Sequence, residues 1–205
     1  ATDTTSSNVI LALMDPLVKL DPDTLEPEPS AADSWEVDEN VVTFHLNQDA
    51  TWTNGDPVTA QDYVYSWKRT LSPELAADYA YQLYGVTGAA EYNGCEKNCE
   101  ALADEVAVTA VDDYTLQVEL TSEQPWFLGQ VSHHSFLPVH QATVEEFGDN
   151  WTDPENIVTN GPFMLESWDH EASINMVKNP DWRDSANVAL ERIEGSIIVA
   201  KIKES

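Results

Sequence analysis

The sequence predicts a fold of the α+β class, an irregular mixture of helices and strands (mixed α/β), in one domain or two small ones. Its 205 residues are enough to bury a substantial core. Apolar residues recur at helical spacing within residues 59–71, whereas apolar and polar residues alternate strictly over residues 114–120. Since no internal repeat or low-complexity linker interrupts these patterns, we expect helices packed against antiparallel strands.

The first quarter of the chain predicts a helix, turns and a strand pair. Apolar residues at helical spacing predict a helix within residues 8–18, limited at Asp15 because a residue before proline avoids the α region. Acidic residues interleaved with prolines predict turns or extended chain over residues 21–29. Alternation in residues 35–46 predicts two paired strands.

The next segment contains a helix with a clear start. Thr59 is followed three residues later by Asp62, which is the spacing of a capping box, so the helix is predicted to begin there. Ser72 and Pro73 are expected to end it. A second helical stretch is predicted from Pro73 to about Tyr84.

The second half of the chain is predicted to be richer in strands. Two apolar runs flank the acidic turn at residues 112–113 and predict a β-hairpin with one buried face. Another apolar element starts at residues 125–127, and residues 144–147 predict a short helix. Residues 163–165 and 174–177 are expected to pair as strands.

Charge excludes several classes of function. The chain has 37 Asp and Glu against nine Lys and Arg, for a formal net charge of −28. Nucleic-acid binding and electrostatic docking on an anionic membrane both require clustered cations, and none are present in the sequence. Because 42% of the residues are hydrophobic and seven are Trp, the charge is expected to coat a folded body whose core holds most tryptophans.

Two cysteines, Cys95 and Cys99, are the only ones in the chain and stand in a polar stretch typical of an exposed loop. They could form a small disulfide suited to an oxidising compartment, remain free thiols, or supply half of a metal site. The disulfide is favoured over free thiols because such bridges persist in oxidising compartments. A metal site is the least favoured, since no His lies beside the pair and there is no second Cys pair. No apolar run reaches the ~18 residues of a membrane helix, and no secretory signal opens the sequence.

Motifs for catalysis are absent from the sequence. It contains no G-x-S-x-G, P-loop, G-x-G-x-x-G or H-E-x-x-H pattern, so a hydrolase, nucleotide enzyme or zinc enzyme has no support. The pair His133 and His134 is expected to point apart, as adjacent residues do in a strand. Tyr79, Tyr81 and Tyr84 could line a ligand cleft or form a packing face.

Residues 52–69 resemble the signature stretch of the extracellular oligopeptide-binding proteins of ABC importers, a large solute-binding family that also contains dipeptide and nickel binders. Residues 25–36 are similar to the segment before that signature, and residues 114–120 to the family's hairpin. Residues 147–163 are similar to the oligopeptide branch. The resemblance covers nearly the whole chain in the right order.

The resemblance implies part of a periplasmic-binding-protein type II clamshell that closes over an extended peptide and performs no chemistry. Residues 15–140 would form the family's small extra domain, and residues 1–14 and 141–205 part of the first lobe. The second lobe, which holds the peptide amino terminus, is expected to be missing, so this chain resembles an excised fragment. Residues 195–205 could continue natively or form an engineered return strand, and the native interpretation is favoured.

Four positions carry over from the family as substrate-binding candidates. Thr4 falls in a loop that borders the peptide, Tyr79 and His133 align with cleft residues, and Asn160 lies in a Thr-Asn-Gly turn. Each could instead be a surface or packing residue, and for Asn160 a simple tight turn is favoured. None is acidic, so the charge is expected to lie on the outer surface.

The resemblance also implies partners and a location. The partners would be an oligopeptide and a membrane permease of an ABC importer, with no nucleic acid, no cofactor, no metal and a monomeric chain. The location would be the periplasm or the outer face of the membrane, with a lipid-anchored parent protein. Alternative functions are a surface protein-interaction module, which an exposed apolar patch would support, or a binder of dipeptides or another small solute. An enzyme has no motif behind it.

Overall fold

A computed structural model describes residues 3–170 and 172–196. Within those ranges it contains six α-helices and nine strands. They are, in order, α1 (Thr4–Leu13), β1 (Val18–Leu20), β2 (Pro27–Pro29), β3 (Ala32–Asp38), β4 (Val41–Leu46), α2 (Ala60–Leu71), α3 (Ala89–Asn93), α4 (Glu100–Glu105), β5 (Val108–Asp112), β6 (Thr115–Glu119), α5 (Phe127–Gln130), α6 (Gln141–Phe147), β7 (Phe163–Asp169), β8 (Ser173–Lys178) and β9 (Arg192–Ser196).

Helix α1 begins further toward the N-terminus than the helix predicted within residues 8–18, so the predicted start was wrong, whereas its end at Leu13 agrees with the limit predicted at Asp15. Asp3 caps the helix, because its carboxylate accepts a hydrogen bond of 2.8 Å from the backbone N–H of Ser6. The chain is already extended at Met14, one residue before the pre-proline Asp15. An N-cap one turn upstream of the apolar run therefore decides where the helix starts.

Helix α2 confirms the predicted capping box. The backbone N–H of Thr59 donates to the Asp62 carboxylate at 2.7 Å, and the helix ends at Ser72 as predicted. Tyr63 and Trp67 are fully buried on its inner face. The indole N–H of Trp67 donates to the backbone oxygen of Phe136 at 2.8 Å, which attaches the helix to a 3₁₀ turn.

The second helix predicted from Pro73 to Tyr84 was wrong. This stretch forms turns and then a single 3₁₀ turn over Ala80–Leu83. Ala76 adopts a φ of +49°, in the left-handed region that interrupts a right-handed helix. The break lets the chain turn and present Tyr79 at the start of the 3₁₀ turn.

A four-stranded antiparallel sheet with the order β3-β4-β6-β5 confirms both predicted strand pairs. Phe44 on β4 stands opposite Leu116 on β6, and Val42 stands opposite Val118. All four side chains are buried, so the alternation of residues turns one face of the sheet toward the core. Helix α2 packs on β5 and β6.

The C-terminal sheet has the order β7-β8-β9 and confirms the predicted pairing of residues 163–165 with 174–177. Helix α6 confirms the helix predicted at residues 144–147 and begins a few residues earlier. Residues 195–205 were predicted to be either a native continuation or an engineered return strand. Gly195 and Ser196 complete β9, and residues 197–205 lie outside the described residues.

The prediction that most tryptophans belong to the core was partly right, since two are fully buried and two more, Trp35 and Trp151, pack partly buried against it. Trp52 and Trp67 are fully buried, but Trp126 is 64% exposed and Trp168 37% exposed. Trp126 is the N-cap residue of α5, and the next residue, Phe127, is the one that enters the core. In the described ranges, none of the helices is long and apolar enough to cross a membrane.

Candidate functional site

Three side chains from two segments that are distant in sequence meet at one surface. The ring centroids of Tyr79 and His133 lie 5.5 Å apart, and those of Tyr79 and His134 lie 5.4 Å apart, both in edge-to-face orientation. The two imidazoles lie 4.1 Å apart with a tilt of 33°. We call Tyr79, His133 and His134 the aromatic shelf; Tyr81, 5.9 Å from Tyr79, extends it toward solvent.

Two short turns position the shelf. Tyr79 precedes the 3₁₀ turn Ala80–Leu83, and His133 caps the 3₁₀ turn His134–Phe136 by accepting from the backbone N–H of Ser135 at 3.2 Å. The side-chain amide of Gln130 donates to the backbone oxygen of Gln82 at 2.7 Å and holds the first turn against α5. The shelf is therefore built on anchored backbone rather than on free loops.

The histidine pair corrects the prediction that adjacent side chains point apart. His133 has extended backbone angles, but His134 begins a 3₁₀ turn, so the two-residue alternation of a strand does not apply. The rings consequently lie against one another. Burial lowers the pKa of His133, and the neighbouring His134 lowers it further.

The shelf has a definite chemical character. The lowered pKa of His133 favours the uncharged imidazole at neutral pH. Because its Nδ1 accepts from the Ser135 N–H, the Nε2–H is left as a donor. Tyrosine adds a flat apolar face and a hydroxyl group. Such a surface can hydrogen-bond neutral amides and pack against side chains, and the shelf residues include no serine or cysteine nucleophile.

Thr4 and Asn160, the other two candidates, lie elsewhere. Thr4 is exposed in the first turn of α1, so the prediction that it occupies a loop was wrong. Helix α1 packs against the turn that carries His134. Asn160 is only 4% exposed, and its side-chain oxygen accepts a hydrogen bond of 3.0 Å from the backbone N–H of Asp15. Its side chain thus links two distant segments, beyond forming a tight turn.

Gly161 explains why these segments approach so closely. Its backbone N–H donates to the oxygen of Leu13 at 2.9 Å, at the end of α1. A Cβ atom at this position would lie 2.6 Å from the backbone carbon of Leu13, closer than real contacts allow. Glycine is therefore required where the chain enters β7.

A buried ion pair beside Asn160 escaped prediction. Asp15 is 2% exposed, and its carboxylate accepts from the guanidinium of Arg183 and, at 2.6 Å, from the hydroxyl of Ser30. The indole of Trp182 donates to the same carboxylate at 3.4 Å. Two features of the sequence could have indicated this pair. Asp15 is an acidic residue within an otherwise apolar run, and Arg183 is one of only nine Lys and Arg residues.

The Tyr63 hydroxyl lies in the same interior. It is buried and makes no hydrogen bond within the described part of the chain. Burial raises its pKa well above the ordinary value, and the Asp15 carboxylate raises it further. The Tyr63 hydroxyl is therefore protonated at neutral pH.

Cys95 and Cys99 are joined as a disulfide in the structure, with their Cα atoms 5.7 Å apart. Among the described residues, no group of three or more His, Cys, Asp or Glu side chains is arranged to hold a metal ion. Tyr79 and His133 are the predicted site residues that the structure brings together, at the surface of the aromatic shelf.

Such a surface on a mixed α+β body is typical of a solute-binding protein. The chain belongs to the family of bacterial extracellular solute-binding proteins, family 5, whose middle-region model matches residues 26–201. The family resemblance stated from the sequence is confirmed.

Individual relatives agree with this assignment. The chain is 38% identical over 201 residues to the periplasmic oligopeptide-binding protein OppA of Escherichia coli, covering 97% of this chain and 36% of the relative. It is 37% identical to the dipeptide-binding protein DppE of Bacillus subtilis, covering 91% of this chain and 34% of that relative. It thus spans about a third of the length of these curated relatives.

Solved structures confirm the fold class. The substrate-binding domain of an oligopeptide ABC transporter from Bacillus anthracis superposes with a TM-score of 0.90 at 38% identity, over 97% of this chain and 38% of that chain. OppA of Listeria monocytogenes, solved bound to peptide, superposes with a TM-score of 0.89 at 32% identity, over 97% of this chain and 39% of that chain. The described fold is thus that of a region of a larger oligopeptide-binding structure.

Proposed function

We propose that this chain is part of the extracellular solute-binding component of an ABC importer and contributes one wall of an oligopeptide site. The aromatic shelf carries the proposal, because it joins Tyr79 to His133, the two cleft positions that the family resemblance assigns. Similarity to proteins named for oligopeptide binding supports the choice of ligand. A dipeptide or another small solute is the alternative cargo, as the similarity to DppE indicates.

The proposed mechanism is binding without chemistry. Because its Nδ1 accepts from Ser135, a neutral His133 can donate its Nε2–H to a peptide carbonyl. The phenol ring of Tyr79 can cover an apolar peptide side chain. Since backbone groups are common to all peptides, these contacts would give affinity with little sequence preference. A second wall, supplied by the rest of the protein, would close over the peptide and present it to a membrane permease.

The proposal includes an arrangement and a location. Residues 15–140 would form the small extra domain that carries the shelf, and residues 1–14 and 141–205 would belong to the first lobe. Thr4 on α1 and the Asn160 turn would border the site from that lobe. The protein would work as a monomer in the periplasm or at the outer face of the membrane, with a lipid-anchored parent.

Backbone NMR of the ¹⁵N-labelled chain tests this proposal. Titration with a mixed tripeptide and pentapeptide library should shift the amide signals around Tyr79 and of the turn His134–Phe136. We expect affinity weaker than micromolar, because a single wall buries only part of the peptide. Micromolar affinity measured by calorimetry would contradict the one-wall assignment.

A matched aromatic pair provides the control. Trp168 and His170 also stack at 4.1 Å on the surface, on and beside β7. The variant Tyr79→Ala should abolish the peptide-induced shifts, whereas Trp168→Ala should leave them unchanged. Equal losses in both variants, or shifts that avoid the shelf, would refute the proposed site.

A further inference from the structure

A separate apolar groove lies along the edge of the four-stranded sheet. Its floor consists of the buried side chains of Val42, Leu120 and Phe127, and its sides include Val37, Pro125 and Leu128. It encloses about 230 Å³. Val37 is 58% exposed on β3, and Trp126, adjacent in sequence to two groove residues, is 64% exposed, so apolar surface continues beyond the groove.

The rim of the groove is acidic, and its surroundings in sequence contain no cation. Glu39 and Glu123 line the opening and are exposed. Neither residues 20–67 nor residues 98–177 contain any Lys or Arg, so no strand of the four-stranded sheet carries a Lys or Arg side chain. The groove therefore combines an apolar floor with a negative electrostatic potential at its opening.

The walls of the groove are held in place. The turn between β3 and β4 is fastened to the end of β6, because the Asn40 side-chain amide donates to the Leu120 oxygen at 2.7 Å. The Leu120 backbone N–H donates in return to the Asn40 oxygen at 2.7 Å. On the other side, the Gln124 amide donates to the Gly85 oxygen at 3.1 Å. A groove fixed in this way needs little rearrangement to accept a partner.

We propose that this groove docks a cationic segment of a partner protein, which inserts one bulky apolar side chain between flanking Lys or Arg residues. The volume is below the roughly 300–1,000 Å³ of pockets for small molecules, and it suits a single anchoring side chain. The anchor would cover Phe127, and the flanking cations would face Glu39 and Glu123. An acidic rim repels anionic partners, which makes the charge of the segment a condition of binding.

This inference goes beyond the proposed transport function, because it concerns a different surface and does not require peptide capture at the shelf. The two can be tested apart with a probe whose ends are blocked. The probe is an acetylated, amidated, fluorescein-labelled heptapeptide with Lys at alternate positions and one central Phe. Fluorescence anisotropy measures its affinity, and ¹⁵N NMR locates it on the chain.

Two edge-strand variants with the same charge change separate a real site from general attraction. Val37 on β3 and Val111 on β5 are each 58% exposed, on opposite edges of one sheet. Three strand spacings of about 4.8 Å separate the two edges by about 14 Å. The variant Val37→Lys should weaken the affinity for the probe about tenfold, because it damages the anchor site. The variant Val111→Lys should change that affinity less than about twofold.

Peptide variants complete the test. Replacing the central Phe of the probe by Ser should weaken binding about tenfold, and replacing its Lys residues by Glu should abolish it. The double variant Glu39→Gln, Glu123→Gln should reduce the salt dependence of binding. Equal effects of the two Lys variants, NMR shifts spread over the whole acidic surface, or binding of the Glu peptide would each overturn the proposal.

Discussion

The buried ion pair between Asp15 and Arg183 should be a main support of the fold. The Asp15 side chain is 3% exposed and the Arg183 side chain 15% exposed, so water screens neither charge well. The variant Asp15→Ala removes the acceptor for the guanidinium, the Ser30 hydroxyl and the Trp182 indole together. It leaves the guanidinium partly buried without its partner carboxylate.

The expected cost follows from that loss. Removing one partner of a buried ion pair costs about 3–5 kcal/mol. With a urea m-value near the upper end of the usual range, about 2.5–3 kcal/mol per M, the unfolding midpoint should fall by roughly 1–2 M. The double variant Asp15→Ala, Arg183→Met should recover part of the lost free energy of unfolding. Methionine removes the unpaired charge and retains an apolar stem that can pack beside Trp182.

Urea unfolding followed by far-UV circular dichroism measures these effects, and a surface ion pair is the control. Arg192 and Glu166 are about 40% exposed, so Glu166→Gln should hardly move the midpoint. The reasoning would be refuted if Asp15→Ala behaved like Glu166→Gln. It would also be refuted if the Asp15 and Arg183 substitutions were additive, since residues in one buried network should be coupled.

Two further predictions concern protons and salt. Burial lowers the pKa of His133 in the folded state below the unfolded value of about 6.5. The contribution of His133 to the free energy of unfolding is therefore fully present above a pH of about 6.5. The contribution is lost as pH falls through the folded pKa. NMR titration should give a midpoint below 6.5, and His133→Asn should flatten the pH dependence of the melting temperature; a midpoint at or above 6.5 would contradict the assignment. With a net charge of −28, the melting temperature should rise from low to moderate salt, and a flat or falling curve would argue against a dispersed acidic surface.

Local sequence patterns predicted those elements whose stabilising contacts lie within a few residues. The capping box of Thr59 and Asp62 is an interaction across three positions, so it could be found without the fold. The hairpin of β5 and β6 is likewise specified by alternation and an acidic turn. The helix predicted after Pro73 failed, because periodicity does not reveal the left-handed backbone at Ala76.

The candidate site was only partly predictable for the same reason. The family resemblance selected Tyr79 and His133, but the residues themselves gave no sign that their rings would meet or that His134 would join them. Thr4 was misplaced because its helix starts from the Asp3 cap, a single-residue signal outside the apolar run.

By itself, the sequence determined the α+β class, the family and the acidic character of this protein, since periodicity, motif order and charge are properties of the chain. The tertiary structure alone decided which polar residues enter the core and which tryptophans leave it. Asp15 and Arg183 are 168 positions apart, and their contact depends on how α1 and the segment after β8 pack together. Packing over such separations balances burial against desolvation in three dimensions, which no local pattern of residues records.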